Sequence, residues 1–493
     1  MASSEPAVVS SGAAPRFGHF IGGRWVESAS GRSFPATNPA TGAVLAQLAE
    51  GDVEDADRAI EAARAARESM RRLSTWDRSR LCLRIADVME RHRDELARWL
   101  SLDQGKPLHA EAEAEVSAAI AGFHEAAEQV KWLETSVIPV EDPNKRVMTF
   151  RQARGVYAVI TPWNFPLNIP IEYLGPGLAS GNTIVWVPAP TTSLIAVKLA
   201  EMLEEADLPA GAVNLVTGPG PVVGDRIVAS PGTDAVGFTG SSATGEQVAR
   251  RAAGKPVLME LGGNGPTIIC DDADLELAAQ ATGFGAFFNA GQVCSAAERV
   301  LVPRALQAAF GELLAAEARK QRLGDPLAQG TTMGPLNNAA VADKVDRHLS
   351  DGLAHGARVV SGGGRAPGLG SDLFYQPTVL LDVSPASALG VEETFGPVAP
   401  LIPVADDEEA LAVANAGELG LVAAVFTSSM KRAWWFAENL RAGLVNVNEH
   451  TNYWELHIPF GGVAGKRSGV GRVGGRYGLM EMTDLRTVTF DLR

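Results

Sequence analysis

Gly155-Val156-Tyr157-Ala158-Val159-Ile160-Thr161-Pro162-Trp163-Asn164-Phe165-Pro166, followed by a helix-sized segment and then Thr183-Ile184-Val185-Trp186-Val187-Pro188, decides the fold. Each apolar run has strand length and β-branched character, and the chain between them is too long for a hairpin loop. The unit then repeats. AVNLVTG (212–218) and AVGFTG (235–240) read as strands, and SLIAVKLAEMLEEA (193–206) and SSATGEQVARRAAG (241–254) as helices. Short buried strands separated by helices argue for βαβ units and a parallel sheet. After Glu260-Leu261-Gly262-Gly263 the alternation restarts with PTIIC, ERVLVPR, ARVVSGG, FYQPTVLLDV and LVAAVFT. The result is an α/β chain of two lobes joined near residue 262.

Outward from this core, residues 20–50 carry short β-type runs broken by Gly, Pro and Asn turns. Val53, Ala56, Ile60 and Ala63 recur at helical spacing, and further helix is predicted from about Trp76 to Leu102 and from about Ala110 to Leu133. SVIPVEDPNKRVMTFRQA (136–153) reads as a β-hairpin and LRTVTFDLR (485–493) as a strand. Both belong to neither lobe and need edges to pair with, either each other or a second chain.

The 493 residues exceed one compact core, and 46% hydrophobic with 20% charged residues is the balance of a soluble globular protein. A net charge of -15 disfavours nucleic acid and anionic membrane as partners. Cys82, Cys270 and Cys294 form no CxxC pair, so no disulfide framework or zinc site is read from them, and a reducing cytoplasm is the expected compartment. The first residues, through Gly18, read as a loose arm without an apolar signal-peptide core. No apolar stretch of about 18 residues occurs.

Three polar residues stand out. Cys294, in FNAGQVCSAAERV (288–300), follows a stretch that can turn tightly, and a helix beginning just after it would stabilise a thiolate through its dipole. A lone cysteine is more often a packed core residue, and Cys82 and Cys270, on apolar segments, read that way. Glu260, at the end of an apolar run before two glycines, is a salt-bridge partner, a surface charge, or a base in a low-dielectric site. Asn164 is held between two prolines, either as a turn residue or as an aimed amide donor for an oxyanion. Gly240-Ser241 follows a strand and opens a helix, where free N–H groups can hold a phosphate.

Taken in order, NPATG (38–42), DQGKP (103–107), TPWNFP (161–166), FTGSSATG (238–245), ELGG (260–263), FNAGQVC (288–294), EETFGPV (392–398) and PFGG (459–462) resemble the aldehyde dehydrogenase superfamily over about residues 20–490. The resemblance implies two doubly wound, Rossmann-like α/β lobes and a small β oligomerisation arm. Residues 1–134 and 154–262 would form the cofactor lobe, 263–466 the catalytic lobe, and 135–153 with 467–493 the arm and tail. It implies NAD(P)-dependent oxidation of an aldehyde to an acid, with Cys294 as nucleophile, Glu260 as base for thioester hydrolysis and Asn164 as oxyanion donor. Ile160, Pro162, Trp163, Gly240, Ser241, Leu261, Glu393 and Phe395 would hold the cofactor. No metal is implied, and a homodimer or homotetramer is. The alternatives are a coenzyme A-acylating enzyme, disfavoured by the presence of Glu260, and a non-catalytic binding or scaffold protein.

Two departures bear on specificity. The family's usual ribose-bonding Lys is replaced by Val187, and a Glu common in NAD-preferring members by Pro190, so the cofactor is NAD or NADP, with NAD favoured because no replacement cation is visible. Asn168 and Glu172, four and eight residues after Asn164, share a helix face. Members acting on carboxylate semialdehydes often have Arg where Glu172 falls, so a polar, hydroxylated or cationic aldehyde is expected, unless a neighbouring base neutralises Glu172. With Phe165, the loop 449–457, including Tyr453 and His457, is expected to line the substrate mouth, its aromatic residues suited to an aromatic or sugar-like aldehyde.

Overall fold

In the computed structural model, which describes residues 14–493, the alternation of strand and helix forms two large sheets. The first has eight strands, ordered Gly469–Val470, Val257–Glu260, Ala235–Thr239, Val156–Thr161, Thr183–Pro188, Val213–Leu215, His19–Ile21 and Arg24–Val26. Its five central strands run parallel, and antiparallel strands close both edges. Both faces are buried. Val156, Ala158, Val185 and Val187 join one apolar cluster, while Tyr157, Val159, Ile184 and Trp186 join another. That period of two, with cover on each side, is why these strands are continuously apolar rather than alternating.

The chain path through this sheet sets the site. From Val156–Thr161 the chain adds strands on one side, then crosses to Ala235–Thr239 and Val257–Glu260 on the other. A parallel sheet whose winding reverses leaves a crevice at the carboxyl ends of its strands. Here those ends are Thr161, Thr239 and Glu260.

The second sheet has seven strands: Arg358–Ser361, Thr378–Leu381, Val398–Val404, Arg299–Pro303, Pro266–Ile269, Val422–Phe426 and Leu444–Val447 in spatial order. All its pairings are parallel except the first. Two of these strands have no counterpart among those expected from the sequence. Val398–Val404 contains Pro400 and Pro403, which ordinarily argue against an interior strand. Leu444–Val447 is only four residues long.

The hairpin and tail pair with each other. Residues 145–153 and 483–491 align in an unbroken antiparallel register from Lys145↔Asp491 to Ala153↔Thr483, and Val137–Ile138 adds a third strand. The long predicted helices divide into Thr75–Arg91 with Arg93–Gln104, and Glu113–Gln129 flanked by short irregular turns. The helix Val53–Arg72 begins at a capping box in which Asp52 and Asp55 satisfy each other's backbone N–H groups. Of the expected N-terminal arm, residues 1–13 lie outside the described residues, whereas Arg16–Phe17 pairs with Gln47 and Leu48. Among the described residues, no helix is long and apolar enough to cross a membrane.

Trp186 is fully buried, and its Nε1 donates to Thr161 Oγ1 at 2.8 Å, at the root of the TPWNFP loop. Trp186→Ala is expected to cost about 3–5 kcal/mol, read as a lowered thermal midpoint by calorimetry.

Candidate active site

A cleft of about 910 Å³ opens at the carboxyl ends of the first sheet. Its walls include Pro162, Trp163, Gly240, Ser241, Leu261, Glu393 and Phe395, together with Asn164 and Cys294. Trp163 and Phe395 meet edge to face at 5.4 Å. Phe395 has the left-handed φ of 59°, unusual for a residue with a side chain, and Glu298 holds it there by accepting from the Thr394 and Phe395 N–H groups. Glu393 accepts from Gly263 N at 3.0 Å, and a Cβ on Gly262 would come within 2.9 Å of its carboxylate. Lys344, unforeseen in the sequence, also lines the cleft, with its Nζ 5.7 Å from the Phe395 ring centre. Ile160 does not reach this wall. It points from its strand into the apolar cluster around Val223, because alternate strand residues face the helices.

Cys294 is half-buried in a loop between the helix Leu275–Phe287 and the strand Arg299–Pro303. The expected helix after Cys294 is absent: the loop runs directly to the strand, so no helix dipole favours the thiolate. The approach is made instead by three consecutive left-handed residues, Asn289, Ala290 and Gly291. Burial raises the thiol's pKa, and the carboxyls of Glu260, Glu393 and Glu172 raise it further.

The strained approach is held by a buried polar network that joins the DQGKP, TPWNFP and FNAGQVC segments through Glu111 and Glu115. Asn289 N donates to Glu111, and its side-chain Nδ2 donates to the Asn164 backbone carbonyl at 2.9 Å. Gln104 Nε2 donates to Asn289 Oδ1 at 3.2 Å. Lys106 Nζ, in the DQGKP segment, donates to the same Asn164 carbonyl at 3.0 Å and pairs with Glu115. Glu115 in turn accepts from the Leu167 and Asn168 N–H groups. The Asn164 side-chain Nδ2 donates to the Gln292 carbonyl at 3.0 Å. Amide donor and thiol loop are thus fastened to one scaffold.

A second cavity of about 1560 Å³ reaches Cys294 from the other side. Cys294, Thr239 and Ile169 line both spaces, so the thiol stands where they meet. Phe165, Asn168, Glu172 and His457 line the second cavity as expected, with Glu260 at its inner end. Tyr453 does not. Its ring is 41% exposed and its hydroxyl donates to Glu455, so Trp454 takes its place on the wall. Glu111, Phe288, Ser295 and Asn452 also line it; Phe288 and Ser295 belong to the stretch around Cys294 and Asn452 to the 449–457 loop, whereas no local pattern marks Glu111.

Glu260 is buried, and neither carboxyl oxygen has a hydrogen-bond partner. Burial first, and the neighbouring Glu172 second, push its pKa well above the usual carboxylate range, while Arg472 pulls it back. Burial alone raises Glu172 to about 8, and no base neutralises it. Gly461, in PFGG, packs against Glu260 so closely that a Cβ would lie 2.7 Å from Oε1.

ELGG brings acid and thiol together by leaving out one side chain. A Cβ on Gly263 would overlap the Cys294 carbonyl oxygen and sit 3.2 Å from Leu421 Cβ. Gly263→Ala must therefore push the thiol loop away. Turnover is expected to fall about 100-fold with an unchanged circular dichroism spectrum, since displacements near 1 Å have that effect on aligned groups.

The "Aldehyde dehydrogenase family" model matches residues 25–488. Mitochondrial succinate-semialdehyde dehydrogenase of Arabidopsis thaliana is 40% identical over 470 residues, 95% of this chain and 88% of that protein. Succinate-semialdehyde dehydrogenase [NADP(+)] of Escherichia coli is 38% identical over 96% of this chain and 97% of its own. The NAD+ complex of an aldehyde dehydrogenase from Bacillus cereus superposes with a TM-score of 0.93 at 37% identity, covering 97% of both chains. With the cleft, the cavity and the thiol between them, these likenesses give one answer: the chain belongs to the aldehyde dehydrogenase family and oxidises an aldehyde to a carboxylic acid with a nicotinamide cofactor.

Proposed function

We propose that Cys294, Asn164 and Glu260 carry this oxidation as nucleophile, oxyanion donor and hydrolytic base. The observation that supports it best is the position of Cys294 at the junction of two cavities, one suited to the cofactor and one to the aldehyde.

The first cleft fits a nicotinamide dinucleotide. Trp163, Leu261 and Phe395 supply apolar walls, Gly240 and Ser241 open the ten-residue helix Ser242–Arg251 for a pyrophosphate, and Glu393 presents an acceptor for ribose hydroxyls. Bound there, the cofactor supplies the acceptor for the hydride that leaves the substrate carbon. Cys294 Sγ adds to the aldehyde carbon as its proton passes to a water molecule and on to solvent, leaving the charge on the former carbonyl oxygen. The second hydrogen on Asn164 Nδ2, the one not given to Gln292, donates to the oxygen as charge develops, joined by the Cys294 N–H. Glu260 then removes a proton from water as that water attacks the thioester carbon, and the carbon–sulfur bond breaks to release the acid. A carboxyl whose pKa is raised by burial is a strong enough base for this near neutral pH. Its presence favours hydrolysis over transfer to coenzyme A, and the complete trio argues against a non-catalytic scaffold.

We infer NAD as the preferred cofactor. Val187 is buried and Pro190 exposed at the end of their strand, so neither a cation nor an anion is offered to a 2′-phosphate at these two positions. The Lys145–Ala153 and Thr483–Asp491 strands carry exposed Met148, Phe150, Leu485 and Phe490, and we infer that this arm joins a second copy as dimer or tetramer. Three free cysteines support a reducing compartment such as the cytoplasm.

Cys294→Ser is expected to abolish cofactor reduction, whereas Glu260→Gln should leave an acyl adduct on Cys294 that persists in intact-protein mass spectra. Wild-type turnover should rise with pH as Glu260 ionises, because only its carboxylate accepts a proton. Loss of all reduction in Asn164→Ala below about 1% of wild type would accord with an oxyanion role. Parallel assays with NAD and NADP test cofactor choice, and sedimentation of Leu485→Asp, expected to shift the assembly toward monomer, tests the arm.

A further inference from the structure

The second cavity is rich in carboxyl groups. Six carboxyls line it, those of Glu111, Glu115, Glu125, Glu172, Glu260 and Glu455, and the wall has no lysine or arginine. Some are already satisfied. Glu115 pairs with Lys106, Glu125 takes Gln129 Nε2 at 2.7 Å, and Glu455 takes the Tyr453 hydroxyl. Others are not. Glu172 has only a long 3.5 Å contact from Asn168 Nδ2. Asn168 Oδ1 is buried with no partner, and so is Glu111 Oε2, on a residue only 4% exposed. Glu260 is unpartnered too, but hydrolysis accounts for it. Every unmet need on this wall is for an N–H or O–H donor. Buried acceptors without donors cost stability, and a ligand that supplies the donors recovers it.

Resting on the aldehyde-oxidation reading above, we propose that the substrate is a short aldehyde bearing a primary ammonium group, held by Glu172 and Asn168. An ammonium group has three donors and a positive charge, matching the carboxyl and amide oxygen on one helix face. Phe288, Trp454 and Phe460 on the same cavity wall are aromatic neighbours of a kind a cation favours, whereas Phe165 already carries Lys106 Nζ at 4.0 Å from its ring centre. Asn168, Glu172 and Cys294 line the same cavity, so one molecule can meet the thiol and this helix face together. A carboxylate-bearing aldehyde would meet acidic oxygens and no cation. In this respect the cavity departs from what the succinate-semialdehyde names of the two relatives describe.

The charge state has a definite pH sign. Glu260, Cys294 and Tyr173 interact electrostatically with Glu172; Glu111, Glu115, Glu125, Glu455 and His457 line the same cavity, and Arg472 acts on Glu260. Without ligand, burial keeps Glu172 largely protonated at neutral pH. An adjacent cation favours its ionised form, so a cationic ligand binds more tightly as pH rises through about 8, until the amine itself loses its proton near pH 10. An anionic ligand follows the opposite trend.

The test is a panel of 3-aminopropanal, propanal and succinic semialdehyde on wild type and Glu172→Gln, with both cofactors. The wild-type kcat/KM should be about 30-fold higher for 3-aminopropanal than for propanal, and lowest for the semialdehyde. In Glu172→Gln the ratio of amino to neutral aldehyde should fall about tenfold or more. Calorimetric titration of the cofactor-free wild type should show n-butylammonium binding more tightly than n-butyrate, and more tightly at pH 8.5 than at 7. Preference for succinic semialdehyde over propanal, an unchanged ratio in the variant, or tighter butyrate binding would overturn the proposal while leaving the dehydrogenase intact. Failure to oxidise any of the three with either cofactor would remove the reading beneath it and the proposal together, even if butylammonium bound.

Discussion

The site depends on one buried cation. Lys106 is 2% exposed, and its ammonium bridges the Glu115 carboxylate and the backbone carbonyl of Asn164. Breaking such a buried pair by removing one partner typically costs about 3–5 kcal/mol, because the remaining charge has lost its compensation. Here the pair also fixes geometry. Glu115 grips the start of the helix Asn168–Ser180, Asn289 shares the Asn164 carbonyl, and Gln292 is tied to Asn289, Asn337 and Asn164. Pull out the cation and the oxyanion amide, the left-handed loop and the thiol all lose a common anchor.

The electrostatics of the reacting region follow from burial and crowding. Glu172, Glu260 and Glu393 all raise the Cys294 thiol, and Glu172 also raises Glu260. Burial and like charge together favour the protonated form of each of these groups.

Much of this is legible in the linear chain. The strand–helix alternation from Gly155 marks the first sheet and its crevice, because parallel strands buried on both faces are unmistakably apolar. Cys294, Glu260 and Asn164 lie where their motifs point. The failures have physical causes. The strand with Pro400 and Pro403 breaks a propensity that tertiary pairing overrides. The helix expected after Cys294 gives way to a short loop, because residues 295–298 lead directly into the buried strand Arg299–Pro303 and Glu298 is engaged by the Thr394 and Phe395 N–H groups. Tyr453 lies one position from the wall-lining Trp454 and Ile160 two from Pro162, and side-chain direction at that scale is set by pairing and loop geometry. Lys106, Asn289 and Glu111 act through contacts between segments far apart in the chain, which no local pattern reveals.

The C-terminal segment has a consequence for how the enzyme comes into being. Gly469 borders the strand that ends in Glu260, Gly461 seats the Glu260 carboxyl, and residues 483–491 zip along 145–153. All three follow, in chain order, the parallel strands of both large sheets. Those strands can therefore pair while the Glu260 carboxyl still lacks its Gly461 wall and residues 145–153 still lack their long partner strand, so one segment completes both the cavity and the arm.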